Sequence, residues 1–172
     1  RVHIVASKSE AEEIEVMTPE KTAYVTQTTL SQEDVSDIRA ILERRFPSIK
    51  GPVKSNICYA TQNRQNAVTQ LARECDLILV VGSKNSSNSN RLRDVAEKSG
   101  GTSYLIDDRD DIDPSWFQGV RNVGITAGAS APERLVTGVL DWLNEYTELA
   151  EVTEMKGREE RISFRPAELT DE

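Results

Sequence analysis

Val80-Val81-Gly82-Ser83-Lys84-Asn85-Ser86-Ser87-Asn88-Ser89-Asn90-Arg91 is the stretch on which the fold turns. The apolar run Leu77–Val81 stops at Gly82, small polar residues dominate from Ser83 to Asn90, and a helical pattern sets in near Arg91. That order is a strand, a loop and a helix start. In an open α/β sheet such a loop lies over the ligand crevice, and the helix after it points unsatisfied N–H groups into that crevice. Ser86, Ser87, Asn88 and Ser89 can add hydroxyl and amide donors, so an oxyanion is the natural guest. The plainer alternative is a well-capped turn, since Ser and Asn are common in loops and no G-x-x-x-x-G-K-[ST] pattern is present.

Downstream, the helix from about Arg91 to Ser99 stops at Gly100-Gly101, a C-terminal signal, and Thr102–Ile106 reads as a strand. Asp107-Asp108-Arg109-Asp110-Asp111 has the charge for Mg²⁺, but the interposed Arg and the Asp113-Pro114 helix start favour a solvated turn. Asn122–Thr126 is a further strand, and Ala127-Gly128-Ala129-Ser130-Ala131-Pro132 leads into a helix striped with Leu135, Val139, Trp142, Tyr146 and Leu149. Residues 151–172 read as a charged surface tail, with one edge strand around Ile162-Ser163-Phe164.

Upstream, the same alternation recurs. Residues 2–6 read as a strand holding His3, the sole histidine and a structural residue on this reading; Lys8–Val16 reads as a short helix. Thr22–Thr26 reads as a strand, followed by Thr26-Gln27-Thr28-Thr29-Leu30 and then a helix capped by Ser31 and carrying Val35, Ile38, Ile41, Leu42 and Phe46. Ser48–Pro52 is a connector. Asn56–Ala60 reads as a short strand, with Thr61 capping a helix over Gln62–Glu74. Cys58 thus stands at a strand end before a helix N-terminus, a place that suits a thiolate nucleophile or metal ligand as well as plain buried filler. Cys75, between a helix end and a buried strand, reads as filler.

The totals narrow the function classes. The chain has 172 residues, enough for a real core, and its 37% hydrophobic and 29% charged residues are those of a globular protein. A net charge of −8 without a basic stripe makes nucleic acid and anionic membrane poor partners. The two cysteines match no C-x-x-C spacing, and their scarcity suggests a reducing, cytoplasmic compartment. No apolar run is long enough to span a membrane. The opening at Arg1 without an initiator Met is read as a processed chain or a piece of something longer.

Four loops, Thr26–Thr29, Cys58–Asn63, Ser83–Asn90 and Thr126–Ser130, each come after an expected strand and precede an expected helix. If the strands are parallel, all four gather on one sheet edge. The resulting pocket holds hydroxyls, amides, helix N-termini and one thiol, without a histidine base, a carboxylate pair or G-x-G-x-x-G. That leaves an anionic ligand beside a cysteine that is either a nucleophile or one ligand of a metal centre.

In order and spacing, these segments resemble the carboxyl-terminal half of the 4-hydroxy-3-methylbut-2-enyl diphosphate reductases, the LytB family. Thr26–Ser31, Ile57–Thr61 with Asn63-Arg64, Val81–Leu92, Leu105–Asp108 and Thr126–Pro132 carry the likeness, which extends to about residue 165. The resemblance implies reductive removal of an allylic hydroxyl at a 4Fe-4S cluster, giving isopentenyl and dimethylallyl diphosphates, with electrons from ferredoxin or flavodoxin. It implies three similar α/β units around the cluster, each with a mainly parallel sheet between helical layers and each supplying one cysteine. On that pattern residues 1–52 are the latter part of the middle unit, residues 53–150 a complete carboxyl-terminal unit, and residues 151–172 the tail. Cys58 matches a cluster ligand. Ser86, Ser87, Asn88 and Ser130 match diphosphate-binding positions, Thr28 matches the threonine that relays a proton near the substrate hydroxyl, and Thr61 matches a further pocket residue.

The departures are large. The family's other two cysteines, its phosphate-binding histidines and its proton-supplying glutamate belong to an amino-terminal half outside this sequence, and one thiolate does not hold a four-iron cluster. The expectation is therefore a reductase half that is inactive without that partner. The rivals are a phosphate- or diphosphate-binding module without a cluster, and a transferase or phosphatase with Cys58 as nucleophile.

Overall fold

The computed structural model describes residues 1–52, 57–146 and 151–155. Its centre is a three-stranded parallel sheet of β1 (Leu77–Val81), β2 (Thr102–Ile106) and β3 (Val123–Ala127), in the order β2-β1-β3. β1 is paired along its whole length on both sides, Leu77 to Val81 facing Thr102 to Ile106 on one flank and Val123 to Ala127 on the other. All five of its side chains are buried, as an unbroken apolar run requires of an internal parallel strand.

Successive residues of β1 point to opposite faces and meet different partners. Ile78 and Val80 pack with Val68 of α3 (Tyr59–Glu74) and with Leu92 and Ala96 of α4 (Ser87–Lys98). Leu77, Leu79 and Val81 pack with Val139 and Leu143 of α5 (Glu133–Tyr146), with Trp116 and Phe117 of the 3-10 turn Pro114–Phe117, and with Ile112 just before that turn. The result is helix, sheet, helix in three layers. Because β1 and β2 are parallel, α4 between them runs back along the sheet, and α3 does the same before β1. Both helices therefore begin at the edge where the strands end.

Helix ends reflect local chemistry. Ser86 caps α4 by accepting the Ser89 N–H at 3.3 Å. Past its far end, Gly100 adopts φ +91°, which lets the Gly101 N–H reach back to the Ala96 carbonyl at 3.0 Å. Asp76 receives the N–H groups of Arg121 and Asn122, both at 2.9 Å, and so anchors the start of β3 beside β1; those bonds hold its carboxyl below the usual range.

Residues 1–52 form a separate cluster in which α1 (Lys8–Glu13) lies on α2 (Gln32–Arg45) through Ala11, Leu42 and Phe46. Several expectations fail here. Residues 2–6 form no strand; Val2 is 92% and Ile4 90% exposed, because no described segment offers a pairing edge. Thr22–Thr26 is reduced to one parallel bridge, Ala23 to Lys50, among the described residues. Tyr59 and Ala60 lie in α3 rather than in a strand, so Cys58 takes the N-cap place expected of Thr61, and Thr61 is buried within the first turn of the helix. The helix after the serine-rich loop starts at Ser87, ahead of Arg91. Leu149, the strand around Ile162-Ser163-Phe164 and most of the tail lie outside the described residues.

One carboxylate ties the two clusters together. Asp34, in the first turn of α2, receives Arg91 at 2.6 Å and Lys98 at 2.7 Å, both from α4. Burial pushes the Asp34 carboxyl up, but hydrogen bonds from Lys98 and the Ser31 side, with the charges of Lys98 and Arg91, outweigh it and leave it below its ordinary 3.8. Stabilisation from Asp34 is thus complete above that ordinary value and is lost as pH falls through the depressed one. Asp34→Asn is expected to lower stability by about 1 kcal/mol at neutral pH in urea unfolding. The difference from the parent closes as pH falls below about 4, and a gap unchanged at pH 3 contradicts the assignment. Leu79→Ala, at the buried centre of β1, is expected to cost about 2–5 kcal/mol in the same assay.

Candidate functional site

The connection leaving β1 goes to the α4 face and the one leaving β3 goes to the α5 face, so their loops diverge and open a crevice between two adjacent strands. Its base is held by main-chain bonds. The Gly128 N–H donates to the Val81 carbonyl and the Gly82 N–H to the Ile106 carbonyl, both at 2.9 Å. Ser86, Ser87 and Asn88 line one side at the start of α4, and exposed Ser130 stands on the loop of the other.

The serine-rich loop is braced from several directions. Asn90 Nδ2 donates to the carbonyls of Lys84 (2.7 Å) and Ser86 (2.9 Å), and the Ser86 N–H donates to the Ser83 carbonyl at 2.9 Å. The Lys84 N–H donates to Asp107 Oδ1 at 3.3 Å, while its ammonium meets Asp111 at 3.2 Å. Asp111 also accepts the Asp107 N–H at 2.8 Å, and that bond, then Lys84, holds its carboxyl below the usual range. These acidic residues therefore brace the loop, in keeping with the expected turn.

The helix start itself carries unspent hydrogen-bonding groups, two of them donors. Both polar atoms of the Asn88 amide and the Ser89 hydroxyl are buried without a partner among the described residues. Each orphaned group of this kind costs about 1–3 kcal/mol. A hydrogen-bonding guest relieves that cost, and at a helix N-terminus an oxyanion is favoured.

The second group centres on Cys58. Its thiol is exposed and makes no capping bond, while its N–H donates to the Thr28 carbonyl at 3.0 Å. Thr28, itself exposed, is thereby fixed beside the first turn of α3. Gln65 Nε2, from the buried face shared by Thr61 and Val68, donates to the Leu30 carbonyl at 3.3 Å and holds the same loop one turn further along. Sequence reading missed Gln65 and Asp34; polar residues at i and i+4 on an otherwise apolar helical face were the available signal for Gln65.

Only two of the four expected loops leave strands of the described sheet. Thr26–Thr29 lies after a single bridge, and Cys58 opens a helix after residues outside the described set. They still meet each other through the Thr28–Cys58 bond, and α3 and α4 start at the same sheet edge. Cys75 is elsewhere: it ends α3 at the opposite edge beside Gly124, and burial, then Glu74 and Asp76, push its thiol up.

A thiol that is exposed, uncapped and borne on a helix N-terminus fits one ligand position of a metal cluster. No group of three or more His, Cys, Asp or Glu side chains stands ready for a metal among the described residues, so the other ligands of such a cluster must come from outside this set. No described helix is long and apolar enough to cross a membrane.

Comparison with known proteins bears on the whole chain. A profile described as LytB protein matches residues 1–144. The 4-hydroxy-3-methylbut-2-enyl diphosphate reductase of Desulfotalea psychrophila is 58% identical over 99% of this chain and 54% of its own length. The protein of the same name from Pseudomonas aeruginosa is 54% identical over 98% of this chain. Among solved structures, the E-1-hydroxy-2-methyl-but-2-enyl-4-diphosphate reductase of Plasmodium falciparum superposes with a TM-score of 0.77 at 34% identity, covering 83% of this chain and 45% of that one. The chain spans about half the length of the curated relatives it matches. By that profile match and those identities, the chain belongs to the LytB family of 4-hydroxy-3-methylbut-2-enyl diphosphate reductases.

Proposed function

We propose that this chain forms the carboxyl-terminal half of the active centre of an iron-sulfur reductase that converts 4-hydroxy-3-methylbut-2-enyl diphosphate into isopentenyl and dimethylallyl diphosphates. The observation that carries the reading is the Cys58 N–H bond to the Thr28 carbonyl, at the edge where the donor-rich helix α4 also begins. Cys58 Sγ is one ligand of a 4Fe-4S cluster, and two further thiolates come from the preceding half of the longer protein. When bound, the cluster supplies low-potential electrons, delivered to it by ferredoxin or flavodoxin.

The chain's own residues bind and orient. Ser86, Ser87 and Ser130 hydroxyls, the Asn88 amide and the first N–H groups of α4 hold the diphosphate, an arrangement that lets a protein of net charge −8 bind an anion through neutral donors. Thr61 shapes the pocket from within the first turn of α3. Thr28 Oγ1 passes a proton to the departing allylic hydroxyl. The balance is two electrons and two protons: the C–O bond breaks, the oxygen leaves as water with one proton, and the allylic carbon skeleton takes the other. Protonation at either end of that allyl unit yields the two isomeric products. A cytoplasmic setting belongs to the same reading.

Co-expression with the preceding half of a family member and anaerobic purification is expected to give about four irons per complex, and Cys58→Ser to lose most of them. Iron retained in full by the Cys58→Ser complex contradicts the ligand assignment. Pyrophosphate binding with no iron in the parent complex would favour the cluster-free module instead, and metal-free turnover blocked by alkylation of Cys58 would favour the nucleophile. Thr28→Ala is expected to lower kcat by about a hundredfold or more while leaving KM close to the parent value, as loss of a proton relay does. A change in KM alone makes Thr28 a binding residue.

A further inference from the structure

Ser89 is the innermost of the polar residues opening α4. It is only 1% exposed, it shares a face with Leu92 and Ala96, and its hydroxyl has no partner among the described residues. Alanine fills such a position without stranding a hydroxyl, so packing alone does not account for serine here. Two glycines make room for it. A Cβ at Gly82, where β1 ends, or at Gly128, where β3 ends, would collide with Ser89 Oγ. The Gly128 side of this spot also borders Asn88 Nδ2, at 3.8 Å from where that Cβ would lie. Two orphaned polar groups, from consecutive residues, therefore converge at the floor of the crevice.

We propose that Ser89 is a further oxyanion-binding residue, whose hydroxyl, lodged between Gly82 and Gly128, donates to a phosphate oxygen held at the start of α4. Ser89 is the third residue of the helix, directly after Asn88, and its hydroxyl lies between the ends of β1 and β3. The hydroxyl oxygen is closed off from solvent as it stands, so reaching a phosphate oxygen requires it to turn about χ1 toward the start of α4. This assignment rests on the diphosphate reading of the site and adds a donor to it from beneath. The ligand class is a phosphate or diphosphate monoester rather than a carboxylate, because the several donors ringing the crevice call for an anion with more than two oxygens.

The complex of this chain with the preceding half of a family member is titrated with inorganic pyrophosphate by calorimetry and melted in the absence of pyrophosphate. Ser89→Ala is expected to melt at or above the parent temperature, because an orphaned hydroxyl is gone, while pyrophosphate binds about tenfold or more weakly. Gly128→Ala is expected to melt lower through its collision with Ser89 Oγ. In the double variant Ser89→Ala, Gly128→Ala the nearest remaining contact is the Ser89 Cβ at 3.5 Å, so the fold recovers but the affinity does not. A lower melting temperature for Ser89→Ala with parental affinity makes the residue purely structural and overturns the proposal. Parental affinity with unchanged melting overturns it as well, leaving the diphosphate site intact. If the parent complex binds no pyrophosphate, both the Ser89 assignment and the anion-site reading of this chain fall.

Discussion

The double pairing of β1 is the constraint that sets the rest of the structure. With a parallel neighbour on each side, the strand leaves no main-chain group to solvent, and both its faces must be covered by apolar layers. Ile78 and Val80 call for α3 and α4; Leu77, Leu79 and Val81 call for α5. Once the two layers are set, the connections from β1 and β3 must part at the sheet edge. The crevice is the geometric remainder of that parting, and the donors are found where the chain has to leave it. Neither Ser86 nor Ser130 needs a special fold to be brought near the crevice; each belongs to the first polar stretch after a buried strand.

How much of the fold is legible in the sequence depends on how far the determining interactions reach along the chain. Leu77–Val81 and Thr102–Ile106 are set by local apolar pattern and match the expected strands, and the helix after Pro132 carries the expected stripe from Leu135 to Tyr146, its expected reach to Leu149 lying outside the described residues. Residues 2–6 have the same kind of pattern but no partner edge among the described residues, and a strand is a property of two segments rather than one. The cap of α3 departs from expectation because Thr61 is the stronger capping residue in the abstract, while the Cys58 N–H bond to Thr28 starts the helix three residues earlier. The residues of the candidate site are visible in the sequence as residue types; their division into exposed Ser87, half-buried Asn88 and enclosed Ser89 is not. That division depends on where Gly82 and Gly128 sit in space.

Asp34 shows why the amino-terminal cluster matters to a site composed mostly of later residues. The segment 28–34 is held at three points: the Thr28 carbonyl by Cys58, the Leu30 carbonyl by Gln65, and the Asp34 carboxylate by Arg91 and Lys98. Two of these grips come from the start and first turns of α3 and one from α4. The thiol-bearing helix and the donor-bearing helix are thus registered against the same short stretch of chain. A shift of either helix along the sheet edge must break at least one charge-assisted or buried hydrogen bond, so the relative placement of the two groups is stiff even though separate helices carry them.

The disposition of cations completes the electrostatic logic. Arg91 and Lys98 are committed to Asp34, Lys84 to Asp111, and Arg93 to Asp94 and Glu97. Every one of these positive side chains belongs to α4 or to the loop before it, and every one has a carboxylate partner within the protein. An anion arriving at the start of α4 therefore meets fixed dipoles and hydroxyls instead of long, mobile cationic arms. Neutral donors lose little entropy on binding because the helix and the braced loop already hold them, and they impose direction on each phosphate oxygen. An ammonium group in the same place attracts the anion more strongly from afar but orients it less. On the proposed function a reacting hydroxyl has to be presented to a cluster, and orientation is then the quantity that counts. On the proposed function, the acidic character of the chain is then compatible with its ligand, because attraction at long range has been exchanged for alignment at contact.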